Sequence, residues 1–160
     1  MNHSQRLRSL GLTLPEVAVP VGSYVPALRV GNLVLTSGQL PTRDGKLVYA
    51  GKVPVDVSTE SAAEAARIAA LNAVAAVASA ADGADGADGI DRIERVVRVC
   101  VYVNSAAGFT EQPKVANGAS DLLAEIFGDA GRHVRSAVGV SDLPLNAAVE
   151  LELIAKLADR

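Results

Sequence analysis

Apolar residues change rhythm several times along the chain, and each change predicts an element. Between Ser23 and Gln39, Val25, Ala27 and Leu28 precede Gly31-Asn32, and Leu33-Val34-Leu35 follow it. A Gly-Asn pair between two apolar runs predicts a β-hairpin. Asp44-Gly45 marks a second turn, after which Leu47-Val48-Tyr49 reads as a third short strand. From Asp56 to Ala81 the period becomes helical, with Ala62, Ala66, Ala69, Ala73 and Val77 on one stripe. Asp56 or Ser58 is placed to cap this helix, and Ser61 with Glu64 has capping-box spacing. Ala81 to Gly89 repeats Ala-Asp-Gly three times, which cannot sustain a helix and reads as a flexible inserted loop.

Valine then dominates Ile93 to Val103, the clearest strand pattern in the chain. Phe109 to Phe127 predicts a second long helix, with Val115, Leu122, Leu123, Ile126 and Phe127 on its core face and Gly128 as its stop. Two strands close the chain, Val134 to Val140 and Ala147 to Leu157, joined by the turn-rich segment 141–146. At the other end, Ser4 to Leu14 predicts a short helix with Ser4 as its N-cap and Gly11 as its stop. Pro15 and Pro20 then break regular structure. Residues 1–20 therefore read as an arm, packed or frayed, and residues 21–160 as one domain.

The resulting order is β-β-β-α-β-α-β-β. Three strands before the first helix argue against a repeated βαβ wheel and for an α+β fold, a mixed, mostly antiparallel sheet with two helices on one face. The second sheet face then has no cover within the chain, and packing between copies is the natural solution.

Composition narrows what such a domain does. The chain has 160 residues, enough for one sizeable core, and 49% of them are apolar. A net charge of −3 and 3% aromatics remove the broad basic surface and stacking platforms that nucleic-acid binding uses. Cys100 is the only cysteine, so no disulfide forms within the chain, and with only His3 and His133 no Cys/His zinc set is available. No EF-hand or P-loop spacing occurs. The N-terminus lacks a signal-type apolar stretch, and no run of about eighteen apolar residues spans a membrane. A carboxylate-bound Mg²⁺ or Ca²⁺ stays open, and a cytoplasmic protein without nucleic-acid or membrane partner is the expectation.

Few residues stand out as chemistry. Arg135, entering a strand in Gly131-Arg132-His133-Val134-Arg135-Ser136, fits two readings, a fork for a carboxylate or a structural ion pair. Glu150 and Glu152, two apart on the last strand, share a face and fit either a buried acid pair or a surface ladder. Gly38, beside Ser37, permits close backbone approach. Ser37 is a pocket donor rather than a nucleophile, since no elbow or His/Asp spacing surrounds it. Tyr24 suits core or pocket wall, and Asn117 suits a ligand contact or a turn cap. His133 fits a surface histidine beside a turn or one that faces a cleft. Arg92, Arg95 and Arg98 read as solvated edge charges or ion-pair partners, with a nucleic-acid stripe as the lesser alternative.

In order and spacing, several fragments together resemble the RidA (YjgF) family of enamine/imine deaminases, once described as endoribonucleases or translation inhibitors. They are Val21-Gly22-Ser23-Tyr24-Val25, the run Gly31 to Pro41, Val115-Ala116-Asn117, Arg135-Ser136-Ala137-Val138, Leu143-Pro144 and Val149-Glu150-Leu151-Glu152. The resemblance implies a chorismate-mutase-like fold and a homotrimer with ligand clefts between subunits. It also implies hydrolysis of small 2-enamine or 2-imine acids to 2-keto acids and ammonia without a cofactor. On that resemblance Arg135 grips the substrate carboxylate, and Glu150 orients or activates water or passes a proton to nitrogen. Tyr24 and Asn117 line the cleft, with Ser37 and Gly38 nearby. Ala137 stands where well-studied members have cysteine, so that position would offer its backbone carbonyl. The long arm, the longer segment from Tyr49 to Val57 and Gly131-Arg132-His133 mark a divergent branch. Non-catalytic binding of keto acids is the alternative function, and ribonuclease or translation inhibition a third.

Overall fold

The computed structural model describes residues 1–82 and 89–159. Its elements run α1 (His3–Ser9), β1 (Ala27–Val30), β2 (Leu33–Thr36), β3 (Thr42–Arg43), β4 (Lys46–Leu47), α2 (Thr59–Asp82), β5 (Ile93–Asn104), α3 (Gln112–Phe127), β6 (Val134–Val140) and β7 (Val149–Leu157). Residues 83–88, which carry most of the Ala-Asp-Gly repeat, lie outside the described residues.

Five strands form one sheet in the order β1-β2-β7-β5-β6. All neighbours are antiparallel except β5 and β6, which run parallel with α3 as their crossover. The hairpin turn falls at Gly31-Asn32, where Gly31 takes φ +63°. This is the mostly antiparallel α+β architecture that the apolar rhythm predicts.

The parity of each strand sorts its residues between the two faces. On one face Val34, Val99, Val101, Val103, Val149, Leu151, Leu153, Ala155 and Leu157 are buried under α2 and α3. Each large aliphatic side chain buried this way contributes roughly 1.5–3 kcal/mol. The stripe Ala62, Ala66, Ala69, Ala73 and Val77 is fully buried, so α2 lies close to the sheet. By length and composition α2 also meets the threshold for a membrane span, but 67% of its apolar window is buried inside the protein, as befits a core helix. Gly118 brings α3 just as close to α2, because a Cβ there would sit 1.9 Å from the Ala63 carbonyl oxygen.

The other face carries Leu28, Val30, Leu33 and Leu35 from the hairpin, with exposures of 58%, 59%, 38% and 39%. By register the same face holds Glu150 opposite Tyr102, Glu152 opposite Cys100, and Ile154 beside Arg98. Among the described residues no helix covers it. A contiguous apolar surface of this kind is unusual on a monomer.

Four expectations need correction. The third strand is a two-residue ribbon, β3 with β4, and Tyr49 leaves it at φ +63° because its carbonyl accepts the Ala148 N–H instead. Helix α2 starts at Thr59. Ser58 Oγ accepts the Ser61 N–H at 3.1 Å, whereas Asp56 is spent on the Lys52 N–H. Helix α3 starts at Gln112, because Phe109 still belongs to a turn closed on Ala106. Asn2, not Ser4, caps α1 in a capping box with Gln5, and the Ser4 hydroxyl donates to Asp91. The arm is packed: Leu7 is buried, and the His3 ring meets Phe127 edge-on at 4.8 Å.

Candidate functional site

Arg135 is the second residue of the edge strand β6 and registers with Val99, whose side chain is in the core. It therefore leaves the sheet on the helix side, beneath the N-terminal half of α3. Its Nη1 donates to Asn117 Oδ1 at 2.9 Å and to Ser120 Oγ at 3.1 Å, and Nη2 reaches the Pro113 carbonyl at 3.4 Å. All three acceptors are neutral. Among the described residues no carboxylate is within ion-pair distance of this guanidinium. The structural ion pair left open by the sequence is thus not made. Both Nη1 hydrogens are engaged, so the edge formed by Nε and Nη2 is left to present a two-pronged donor to an anion.

A further group steadies this arrangement. His133 Nδ1 lies 2.6 Å from the Gly131 carbonyl, which can only accept, so Nδ1 carries the proton. Nε2 lies 3.0 Å from Ser120 Oγ, and Ser120 Oγ accepts from Arg135. His133 is half-buried here and lines the cleft, contrary to the surface reading. Ser120 was not singled out by sequence. Its signal is its position one helical turn after Asn117, which puts both side chains on one face of α3. A cleft of about 260 Å³ opens at this point, lined by Ser120, Ala124, Gly131, Arg132, His133 and Arg135. Ala137 follows two residues after Arg135 on the same face and packs on the core beside Val101.

The acidic residues lie elsewhere. Glu150 projects from the uncovered face of β7, half-buried. Gly38 makes room for it, since a Cβ on Gly38 would fall 2.0 Å from Glu150 Oε1. Burial, and secondly the charge of Glu152, push the Glu150 carboxyl above its ordinary range. Tyr102 donates to Glu152 Oε1 at 2.9 Å. Cys100 first, and Glu152 second, hold the Tyr102 proton well above the usual phenol range. Ser37 Oγ donates to the Val25 carbonyl at 2.6 Å, tying the loop of Tyr24 to the end of β2. The Tyr24 side chain is exposed.

The sequence-predicted residues thus gather in two groups. Arg135, Asn117 and Ala137 lie on the helix side, while Ser37, Gly38, Glu150 and the Tyr24 loop lie on the uncovered side. Arg135 and Glu150 stand two strands apart and three positions apart in register, a Cα separation of about 14 Å, on opposite faces of the sheet. One chain does not bring them together. Of the arginines of β5, Arg95 donates to the Arg132 carbonyl, and Arg98 to Ser136 Oγ. Among the described residues no three His, Cys, Asp or Glu side chains converge as a metal site.

From residue 4 to residue 157 the sequence matches the family described as YjgF/chorismate mutase-like, putative endoribonuclease. The chain belongs to this family. Protein TCP17 of Trypanosoma cruzi is 41% identical over 94% of this chain and 91% of its own length. Among solved structures, a putative endoribonuclease from Shewanella oneidensis MR-1 superposes with a TM-score of 0.90 at 39% identity, covering 98% of this chain and all of its own. The protein Atu1372 of Agrobacterium tumefaciens, of unknown function, superposes at 0.85 with 42% identity, covering 98% and 92%. The family match takes in α1 from residue 4.

Proposed function

We propose that this protein hydrolyses small 2-imino acids, the tautomers of 2-enamino acids, to 2-keto acids and ammonia. The reaction runs in clefts that two copies of the chain complete within a homotrimer. The observation that carries this reading is the Arg135 guanidinium, restrained by three neutral acceptors, free of any carboxylate among the described residues, and lining a cleft. Its Nε/Nη2 edge grips the substrate carboxylate and fixes the adjacent C=N bond. Water adds to that carbon. Glu150 of a neighbouring copy takes a proton from the water and returns one to the nitrogen, and the carbinolamine expels ammonia to leave the ketone. A carboxyl group held above its ordinary pKa suits both halves of this exchange, since it is a better proton acceptor than an ordinary carboxylate and can still return the proton. Tyr24, Ser37 and Gly38 would shape the wall on the Glu150 side, and Asn117 and Ala137 the wall on the Arg135 side.

The test is consumption of 2-aminoacrylate, generated in situ, by wild type and Arg135→Ala. Losing a two-pronged charged contact costs about 3 kcal/mol, or roughly 100-fold in kcat/KM. Wild type indistinguishable from buffer would remove the proposal. A second reading, keto-acid binding without turnover, is favoured by one fact: the anion grip is complete within a single chain and makes no use of Glu150. A tight keto-acid complex together with no imine hydrolysis would select it. A ribonuclease of the two-histidine kind does not fit, because His3 is packed against Phe127 and His133 is committed to Ser120 and Gly131.

A further inference from the structure

The chemistry proposed above gives His133 and Ser120 no task, yet both are linked to the guanidinium on which it depends. The acceptors of Arg135 are unequal. Asn117 is exposed, so water competes for its carbonyl, and the Pro113 contact is long at 3.4 Å. Ser120 is half-buried and accepts from Nη1 at 3.1 Å, which makes it the partner that water disturbs least. A serine side chain has several rotamers, however, and within a helix it commonly bonds back to the carbonyl four residues earlier. Its oxygen orients a guanidinium only if another group holds it in place.

His133 is that group. It is two residues before Arg135 on extended chain, so both side chains leave on the helix side. Its Nε2 lies 3.0 Å from Ser120 Oγ. A hydroxyl oxygen has two lone pairs and one hydrogen, so whichever partner gives the proton in this contact, a lone pair remains for Arg135. The ring is anchored in turn, with Nδ1 2.6 Å from the Gly131 carbonyl. Gly131 is pressed against the end of α3, where a Cβ on it would fall 2.2 Å from the Leu123 carbonyl oxygen. On the other side the Arg132 carbonyl accepts from Arg95 at 3.2 Å, which ties the backbone before His133 to β5. Every link lies within one chain, so the brace is complete without the copy that supplies Glu150.

We propose that His133 is a positioning residue for the carboxylate grip: it fixes the Ser120 hydroxyl, and through that oxygen the direction of the Arg135 guanidinium. This rests on the grip proposed for Arg135 and adds the two residues that aim it. Titration calorimetry with pyruvate tests it on wild type, His133→Ala, Ser120→Ala and the double variant. Each single change should weaken binding about fivefold, the worth of one hydrogen bond. The double variant should bind no more weakly than Ser120→Ala alone, because a group that acts through the hydroxyl adds nothing once the hydroxyl is gone. His133→Gln, whose amide can reach the place of Nε2, should recover most of the affinity, as a residue needed only for packing would not. Unchanged affinity in His133→Ala, single losses that multiply in the double variant, or no recovery in a His133→Gln protein that melts with wild type would each overturn the inference. Arg135→Ala separates it from the reading beneath. Pyruvate bound equally by wild type and Arg135→Ala removes the grip itself, whereas binding lost in Arg135→Ala but kept in His133→Ala removes only the brace.

Discussion

Replacing Gly38 by alanine would move the Glu150 carboxylate while leaving the core intact. A Cβ built on Gly38 lies 2.0 Å from Glu150 Oε1, 2.8 Å from Cδ and 3.1 Å from Cγ. Ordinary contact begins near 3.4 Å, so the carboxylate has to retreat by about 1.4 Å. Gly38 is not among the glycines of positive φ, so alanine fits its backbone. The group that must give way is the end of a flexible, half-buried side chain, which can swing toward solvent. A rotamer change of this sort costs about 1 kcal/mol, a melting shift of about 2–4 °C for a chain of this size. Catalysis tolerates far less, since a misplacement of about 1 Å can cost roughly 100-fold. Turnover of 2-aminoacrylate should therefore fall about 100-fold in Gly38→Ala, with keto-acid affinity changed far less, because Arg135, which holds the carboxylate, comes from another copy and is untouched. Turnover within twofold of wild type, at an unchanged melting temperature, would refute a role for the position of Glu150. A melting temperature lowered by more than about 10 °C would instead make Gly38 a packing residue.

Two other outcomes follow from the same geometry. The folded chain holds the Glu150 proton more tightly than the unfolded chain does, so stability is present below the ordinary value of 4.5 and is lost as pH rises through the higher folded value. Glu150→Gln has nothing to ionise there, and its melting temperature should draw ahead of wild type as pH rises above the ordinary value of 4.5; parallel curves would contradict the raised carboxyl. On the uncovered face, Leu35→Glu puts a charge at the centre of the apolar hairpin surface and should yield monomers by analytical ultracentrifugation, with turnover lost. An unchanged oligomer would remove that face from the interface.

Much of the fold was legible because burial imposes parity. Val99, Val101 and Val103 alternate with Cys100 and Tyr102, and the Ala stripe of α2 repeats at helical spacing, so both patterns survive in the sequence. Element ends were less legible, because they depend on which of several polar side chains wins a given backbone group. Asp56 and Ser58 both suit an N-cap, but the close approach of Gly51 to Asp56 commits that carboxylate to Lys52. Leu47-Val48-Tyr49 suits a strand, but Tyr49 is turned aside by its bond to Ala148. At the site, Arg135 and Glu150 were readable as residue types, whereas their relation was not. It depends on the register of β5 with two partners, and a shift of one residue in either would change the face. Ser120 escaped notice for a similar reason. It has no motif of its own, and its link to His133 appears only when the start of β6 lies against α3.

The opposite placement of Arg135 and Glu150 has a consequence that can be counted. Within one chain the sheet separates them, so a cleft that uses both must take the arginine from one copy and the acid from the next. In a ring of copies each chain then gives its arginine to one cleft and its acid to another. Arg135→Ala and Glu150→Gln homo-oligomers should each be inactive. When the two variants are refolded together in equal amounts, a cleft is intact only where a Glu150→Gln chain supplies the arginine and an Arg135→Ala chain supplies the acid. Random assembly gives that arrangement in about a quarter of the clefts, so activity should return to about a quarter of the wild-type rate. Were both residues drawn from the same chain, every cleft in the mixture would lack one of them and no activity would return. Recovery well below a quarter, with mixed oligomers shown by mass spectrometry to have formed, would refute the shared cleft, and the apolar face would then need another explanation.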